Sequence, residues 1–180
     1  VVPLGGRHVN HFWRLLHDLE IPHLTLLDFD RGRRGGAGGR LKTVVSELIA
    51  NGLDATVLFG EANVDDALSA LAAAPQSADF SAWILRLRDF GVFFSEPLDL
   101  DWSMLKSYPA AYQTLEPGMS GPSGAGDAFA AVLGAEGDAE AYPDSEDAER
   151  MSWYRYLFLG RGKPSTHLRV LADVPSNELN

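Results

Sequence analysis

Two apolar runs in this chain, His23-Leu24-Thr25-Leu26-Leu27-Asp28-Phe29-Asp30 and Gly91-Val92-Phe93-Phe94, each lead directly into acids. The first ends on Asp28 and Asp30, and the second delivers Ser95, Glu96, Asp99 and Asp101. Ahead of them, Val1 to Gly6 reads as a short strand stopping at a glycine turn. Phe12, Leu15, Leu16 and Leu19 then recur at helical spacing before Pro22, with Asn10 as a candidate cap. Strand, helix, strand in this rhythm is a βαβ unit, which implies a parallel sheet with functional groups beyond the C-terminal ends of its strands. The expected fold class is α/β, a parallel sheet flanked by helices.

Between the two runs, Arg31 to Arg40 is too rich in glycine for helix or strand and reads as a flexible basic loop, followed by helices near 41–50, 65–74 and 80–90. From Glu116 to Glu149 the chain carries acids but no Lys or Arg and is broken by Pro and Gly, so it reads as a solvated helical insertion. Trp153 to Phe158 returns the chain to the core, and Gly160 to His167 turns into a last helix capped by Ser165 or Thr166. The expected organisation is a sheet-bearing core over 1–108, an acidic helical insertion over 109–150, and a return to the core over 151–180.

With no Cys, thiolate metal sites and disulfides are excluded. No apolar run approaches the roughly 20 residues of a membrane helix, so no membrane role is expected and the cytoplasm is the default compartment. A net charge of −10 argues against coating nucleic acid by charge alone, yet permits an enzyme that reaches phosphate through bound cations and a local basic patch.

Asp28 and Asp30 are two apart, so on a regular strand their carboxylates point to one side, about 7 Å apart. Such a pair suits a hard cation, since Mg²⁺ binds through one or two carboxylates, waters and substrate phosphate. Asp99 and Asp101 repeat the spacing, and acids gathered at one sheet edge repel unless a cation is shared among them. Asp99 is equally a candidate cap for a helix starting near Trp102. Lys163, in a basic turn with Arg161, could face negative charge developing on a phosphate. The phosphate-loop motif is excluded, because Leu157 replaces its first glycine and Pro164 separates Lys163 from Ser165. Arg31, Arg33, Arg34 and Arg40 would hold flanking phosphates of a polyanion. His8, His11, His17, His23 and His167 include no pair that reads as a metal site, His8 and His11 read as capping or surface residues at a helix start, and Trp153, Tyr154, Tyr156 and Phe158 read as packing, unless an aromatic near Lys163 stacks a base.

Taken in order, Gly5-Gly6, Leu26 to Asp30, Phe94 to Asp101 and Gly162-Lys163-Pro164-Ser165-Thr166-His167 resemble the Toprim nuclease portion of the overcoming-lysogenization-defect (OLD) family, over nearly the whole chain. The resemblance implies a Toprim-like fold and a DNA endonuclease working with two Mg²⁺ or Mn²⁺ ions. It implies Asp28 and Asp30 as metal ligands, Ser95, Glu96, Asp99 and Asp101 as the segment of the second ligand group, and Lys163 as the lysine that assists cleavage. DNA, an ATPase domain N-terminal in the same parent chain, and a second copy in a homodimer are the expected partners. A Toprim unit normally opens with a strand ending in glutamate, absent here, so the chain is expected to be a fragment.

Pro122-Ser123-Gly124-Ala125-Gly126-Asp127-Ala128-Phe129 resembles a different motif, that of ribokinase-type sugar kinases, with Asp127 as base; Gly121-Pro122 stand where that family has Asp-Thr. A phosphohydrolase using Asp28 as nucleophile and Asp30 as acid/base would want a Thr or Ser soon afterwards, which Arg31-Gly32-Arg33 does not provide. A non-catalytic interaction module is the remaining alternative.

Overall fold

The computed structural model describes residues 9–122 and 127–173. The Gly5-Gly6 turn and residues 123–126 of the kinase-like motif lie outside the described residues. The chain divides into two compact units, Val1–Leu27 with Gly35–Phe94, and Asp28–Arg34 with Ser95–Asn180. It is a mixed α/β protein with a two-stranded parallel sheet. Among the described residues no helix is long and apolar enough to cross a membrane.

In the first unit, α1 (Val9–Asp18) leads to β1 (Thr25–Asp28). Asn10 lies inside α1 rather than capping it, and the helix buries Trp13, whose indole N–H donates to Thr25 Oγ1 at 2.8 Å. Phe12, Leu15 and Leu19 stay exposed, as do Leu24 and Leu26, so the first strand is not the fully buried one its apolar run suggests.

The glycine-rich stretch is shorter as a loop than its composition implies, because α2 (Gly38–Ala50) begins within it. A Cβ at Gly38 would stand 2.1 Å from the Leu71 carbonyl oxygen, so glycine there permits backbone contact between α2 and α4 (Val64–Ala73). Between them α3 (Ala55–Phe59), unexpected from periodicity, is started by Asp54, which accepts from the Thr56 amide at 2.9 Å. Asn63 caps α4 in the same manner, and α5 (Ser81–Arg88) leads into β2 (Val92–Ser95). The strands run parallel, with the Thr25 amide on the Gly91 carbonyl at 2.8 Å and the Phe29 amide on Ser95 at 3.2 Å.

The second unit is helical: α6 (Leu100–Ser107), α7 (Pro109–Gln113), α8 (Ala128–Leu133), a 3₁₀ turn (Ala139–Ala141), α9 (Asp147–Tyr154), a π-helix (Arg155–Gly160) and α10 (Lys163–Asp173). Trp102, Tyr112, Val132, Met151, Tyr154, Leu157 and Val170 share one buried core. Ala128, Val132, Leu133, Ala141 and Tyr142, from the segment read as a solvated insertion, belong to that core, and burying a large apolar side chain contributes roughly 1.5–3 kcal/mol. The acids of that segment mislead because they sit at helix starts and on the outer faces. Nor do Ser165 and Thr166 cap the last helix. Both lie inside α10, where Ser165 Oγ donates back to the Arg161 carbonyl at 2.8 Å and Thr166 Oγ1 to that of Leu157 at 2.8 Å.

Candidate functional site

All the acids singled out above fall in the second unit, as do Arg31, Arg33, Arg34, Arg161 and Lys163, whereas Arg40 lies on α2 of the first. The basic stretch is thus divided between the two units.

Asp28 closes β1, exposed, with its carboxylate accepting from Ser95 Oγ at 3.1 Å. Asp30 does not continue the extended pairing, because its φ is +55°, a left-handed conformation that Asp tolerates better than most residues. The reversal turns the backbone so that the Asp30 amide donates to Leu98 (2.6 Å) and the Arg31 amide to Pro97 (2.9 Å), which ties the segment after β1 to the segment after β2. Gly32 permits the next step: a Cβ there would stand 2.9 Å from both the Asp138 carbonyl oxygen and the Tyr142 ring.

Asp99 and Asp101 are likewise not an extended pair. Asp99 caps α6, accepting the Trp102 amide at 3.0 Å, and Asp101 lies in the first helical turn. Asp99 is nearly fully buried, and its second oxygen accepts from the Tyr154 hydroxyl at 2.5 Å. Burial pushes its carboxyl above the usual range, against the opposing pull of Tyr154, the Trp102 amide and Lys163. Burial next to Asp99 also drives the Tyr154 phenol far up, so it stays a neutral donor. Glu96 is exposed, and its backbone carbonyl accepts from Ser103 Oγ at 3.0 Å.

Arg33 donates to Asp30 Oδ1 at 2.7 Å and to the Val132 carbonyl at 3.2 Å, and lies 3.5 Å from both Asp99 Oδ2 and the Tyr154 hydroxyl. It binds the two acidic segments together from inside. Arg34, by contrast, is exposed and pairs with exposed Glu136 at 3.2 Å, while Arg31 stacks over Phe29, 5.4 Å from the ring centroid.

On α10, Lys163 forms an ion pair with Asp101 Oδ2 and lies 3.8 Å from Asp99 Oδ2. Partial burial alone would lower its pKa, but Asp101, Asp99 and Asp28 together hold the ammonium above its ordinary value. His167, one turn along, places Nε2 2.7 Å from Asp101 Oδ1 and Nδ1 2.9 Å from the Tyr112 hydroxyl. With Nε2 protonated, Tyr112 donates to His167 and His167 to Asp101. Nothing in the sequence marks Tyr112, and Tyr154 reads there as packing, yet both stand in this cluster with His167. The available signal was Lys163 and His167 four apart on a helix, which puts both on one face.

The donors here are oxygens, which suits a hard cation. Among the described residues no three of His, Asp and Glu form a metal-ligand group, and Arg33, Lys163 and His167 engage Asp30, Asp99 and Asp101. The set fits an ion held by one or two carboxylates, with water and substrate phosphate as the other ligands, rather than an all-protein cage. Asp127, the base in the kinase reading, is a cap of α8, accepting the Ala130 amide at 2.9 Å. The chain matches no protein-family model, no curated protein and no solved structure.

Proposed function

We propose that this chain carries the phosphodiester-cleaving centre of a metal-dependent DNA endonuclease, of the kind its motifs resemble in the Toprim nuclease portion of the OLD family. The observation that carries the reading is the convergence of Asp28, Asp30 and Ser95 at the strand ends, Asp99 and Asp101 on α6, and Lys163 on α10 in one interacting cluster. These residues are far apart in sequence, and Asp99 and Asp101 are buried among them, a clustering of charged groups that recurs at functional sites.

A Mg²⁺ or Mn²⁺ ion would be held by Asp28 with Ser95, and Asp30 beside them. A second ion would fall to Asp99 and Asp101 in place of Lys163. When bound, the metal supplies Lewis acidity toward a phosphoryl oxygen and lowers the pKa of a bound water. Lys163, half-exposed and held as the ammonium, can turn from Asp101 toward charge developing on the phosphate. Arg33 holds Asp30 and Asp99 in register, and Arg31 and Arg34 would take flanking phosphates.

The test is cleavage of plasmid DNA by the full chain with Mg²⁺ or Mn²⁺. Lys163→Ala should lower turnover about a hundredfold and Asp127→Asn should leave it unchanged. Absence of cleavage with any divalent ion, or a fully active Lys163→Ala, overturns the reading.

A further inference from the structure

A cleft of about 540 Å³ opens on the second unit, lined by the π-helix residues Arg155, Tyr156 and Leu159, by Arg161 that follows them, and by Ser152 and Ala131. That volume is in the range of small-molecule sites. Two features separate it from an ordinary surface hollow. Part of its wall is π-helical backbone, a rare geometry that occurs mostly as short segments and frequently at functional sites. Its charge is also opposite to the protein's, with two arginines gathered on a chain of net charge −10.

The lining has the chemistry of a nucleotide site. The Tyr156 ring is half-buried, braced edge-on by Trp153 at a centroid distance of 5.9 Å, and covered by the Arg161 guanidinium 5.9 Å from its centroid. An aromatic face beside an arginine plane accepts a base of any identity. Arg161 is only loosely paired, 3.7 Å from half-exposed Glu116, and Arg155 is exposed, so both can turn to phosphate. Arg161, which lines the cleft, and Lys163, which faces Asp101, are two residues apart, so their Cα atoms are within about 7 Å.

We infer that this cleft seats an unpaired nucleotide of the DNA strand next to the phosphate at Lys163, making a single-stranded or locally melted flank part of the preferred substrate. The inference rests on the nuclease reading for its substrate class, while its geometry stands apart from the acidic cluster. A paired base has both faces stacked and cannot lie against Tyr156, so duplex flanks gain nothing from the cleft. Tyr156 supplies the stacking face, and Arg155 and Arg161 neutralise the adjoining phosphates.

Fluorescence anisotropy with the full chain, EDTA and a labelled oligothymidylate tests this directly, with a duplex of equal length and free dTMP as comparisons. The single strand should bind more tightly than the duplex, and dTMP should compete only weakly. Tyr156→Leu should weaken single-strand binding about tenfold while Tyr156→Phe restores it, since the ring and not the hydroxyl does the stacking. Equal affinity for strand and duplex, dTMP as tight as the oligonucleotide, or no effect of Tyr156→Leu each overturn the proposal. Circular dichroism confirms that the variants are folded. Single-strand binding through Tyr156 without cleavage under Mn²⁺ would leave the cleft standing and remove the nuclease reading. Cleavage that does not depend on Tyr156 would do the reverse.

Discussion

Lys163 and His167 stand one helical turn apart on α10 and take different oxygens of the same carboxylate, that of Asp101. Asp101 is thereby held in a single orientation, and because Tyr112 holds the far nitrogen of His167, the imidazole is fixed as well. Replacing His167 by Ala should leave the Tyr112 hydroxyl and one Asp101 oxygen without these partners and cost about 1–3 kcal/mol in urea unfolding. Tyr112→Phe should cost less, about 1 kcal/mol. The double variant should be less destabilised than the sum of the two, because the same chain is broken twice. Strict additivity would show that the three residues do not act as a chain.

Asp99 serves as a helix cap while carrying a buried charge, and two substitutions separate these roles. Asn caps about as well as Asp, while Ala loses the bond to the Trp102 amide, so Asp99→Ala should be less stable than Asp99→Asn by about 1 kcal/mol. The pH dependence has a definite sign. Burial raises the folded pKa of Asp99, so its protonated form is favoured by folding; that contribution is present at low pH and is lost as pH rises through the raised pKa. Asp99→Asn should therefore gain stability relative to wild type as pH rises from the ordinary carboxylate range toward neutrality. A constant difference across that window would show that Arg33, Lys163 and Tyr154 compensate the charge fully.

Arg33 and Arg34 are adjacent in sequence and should behave in opposite ways. Arg33→Met removes the cation between Asp30 and Asp99 and should destabilise the protein by about 2 kcal/mol or more. Arg34→Ala touches only an exposed pair and should lie within about 0.5 kcal/mol of wild type. If Arg34 meets a phosphate, its loss reduces the log–log salt slope of DNA binding by about one. An unchanged slope would place it in solvent.

Gly38 and Gly39 make a similar contrast in the first unit. Gly38→Ala forces a methyl against the Leu71 carbonyl and should cost about 1–3 kcal/mol. A Cβ at Gly39 meets nothing within 4 Å, so Gly39→Ala in the same helix should be neutral or stabilising by up to about 1 kcal/mol. Thermal melting of the two variants measures both effects.

The regular elements were legible where periodicity or capping residues announce them: α1, α4, α5 and both strands fall close to their expected positions, and Asp99 caps as its place before Trp102 suggests. Glycine composition concealed the start of α2, because what calls for glycine at Gly38 is the close approach of the Leu71 carbonyl, more than thirty residues away. The acids of the site could be picked out, but their geometry could not. Strand spacing predicts parallel carboxylates, whereas Asp30 adopts a left-handed backbone and Asp101 a helical one. Arg33 looked like its neighbours because a one-dimensional reading cannot tell a buried bridge from a solvated cation. His167 was missed since its partners, Asp101 and Tyr112, come from two other helices.

The second unit is built from Asp28–Arg34 and a stretch that resumes only at Ser95. During synthesis its first strand-end acids leave the ribosome long before α10 does. At ordinary elongation rates the interval between Asp28 and Lys163 is roughly 7–27 s. Through that interval Arg33 can neutralise Asp30, but Lys163 and His167 have not yet been made. The ion pairs that Asp99 and Asp101 make with α10 can therefore form only near the end of synthesis, and a ribosome stalled before Lys163 would hold a chain with the acids made and no lysine to accompany them.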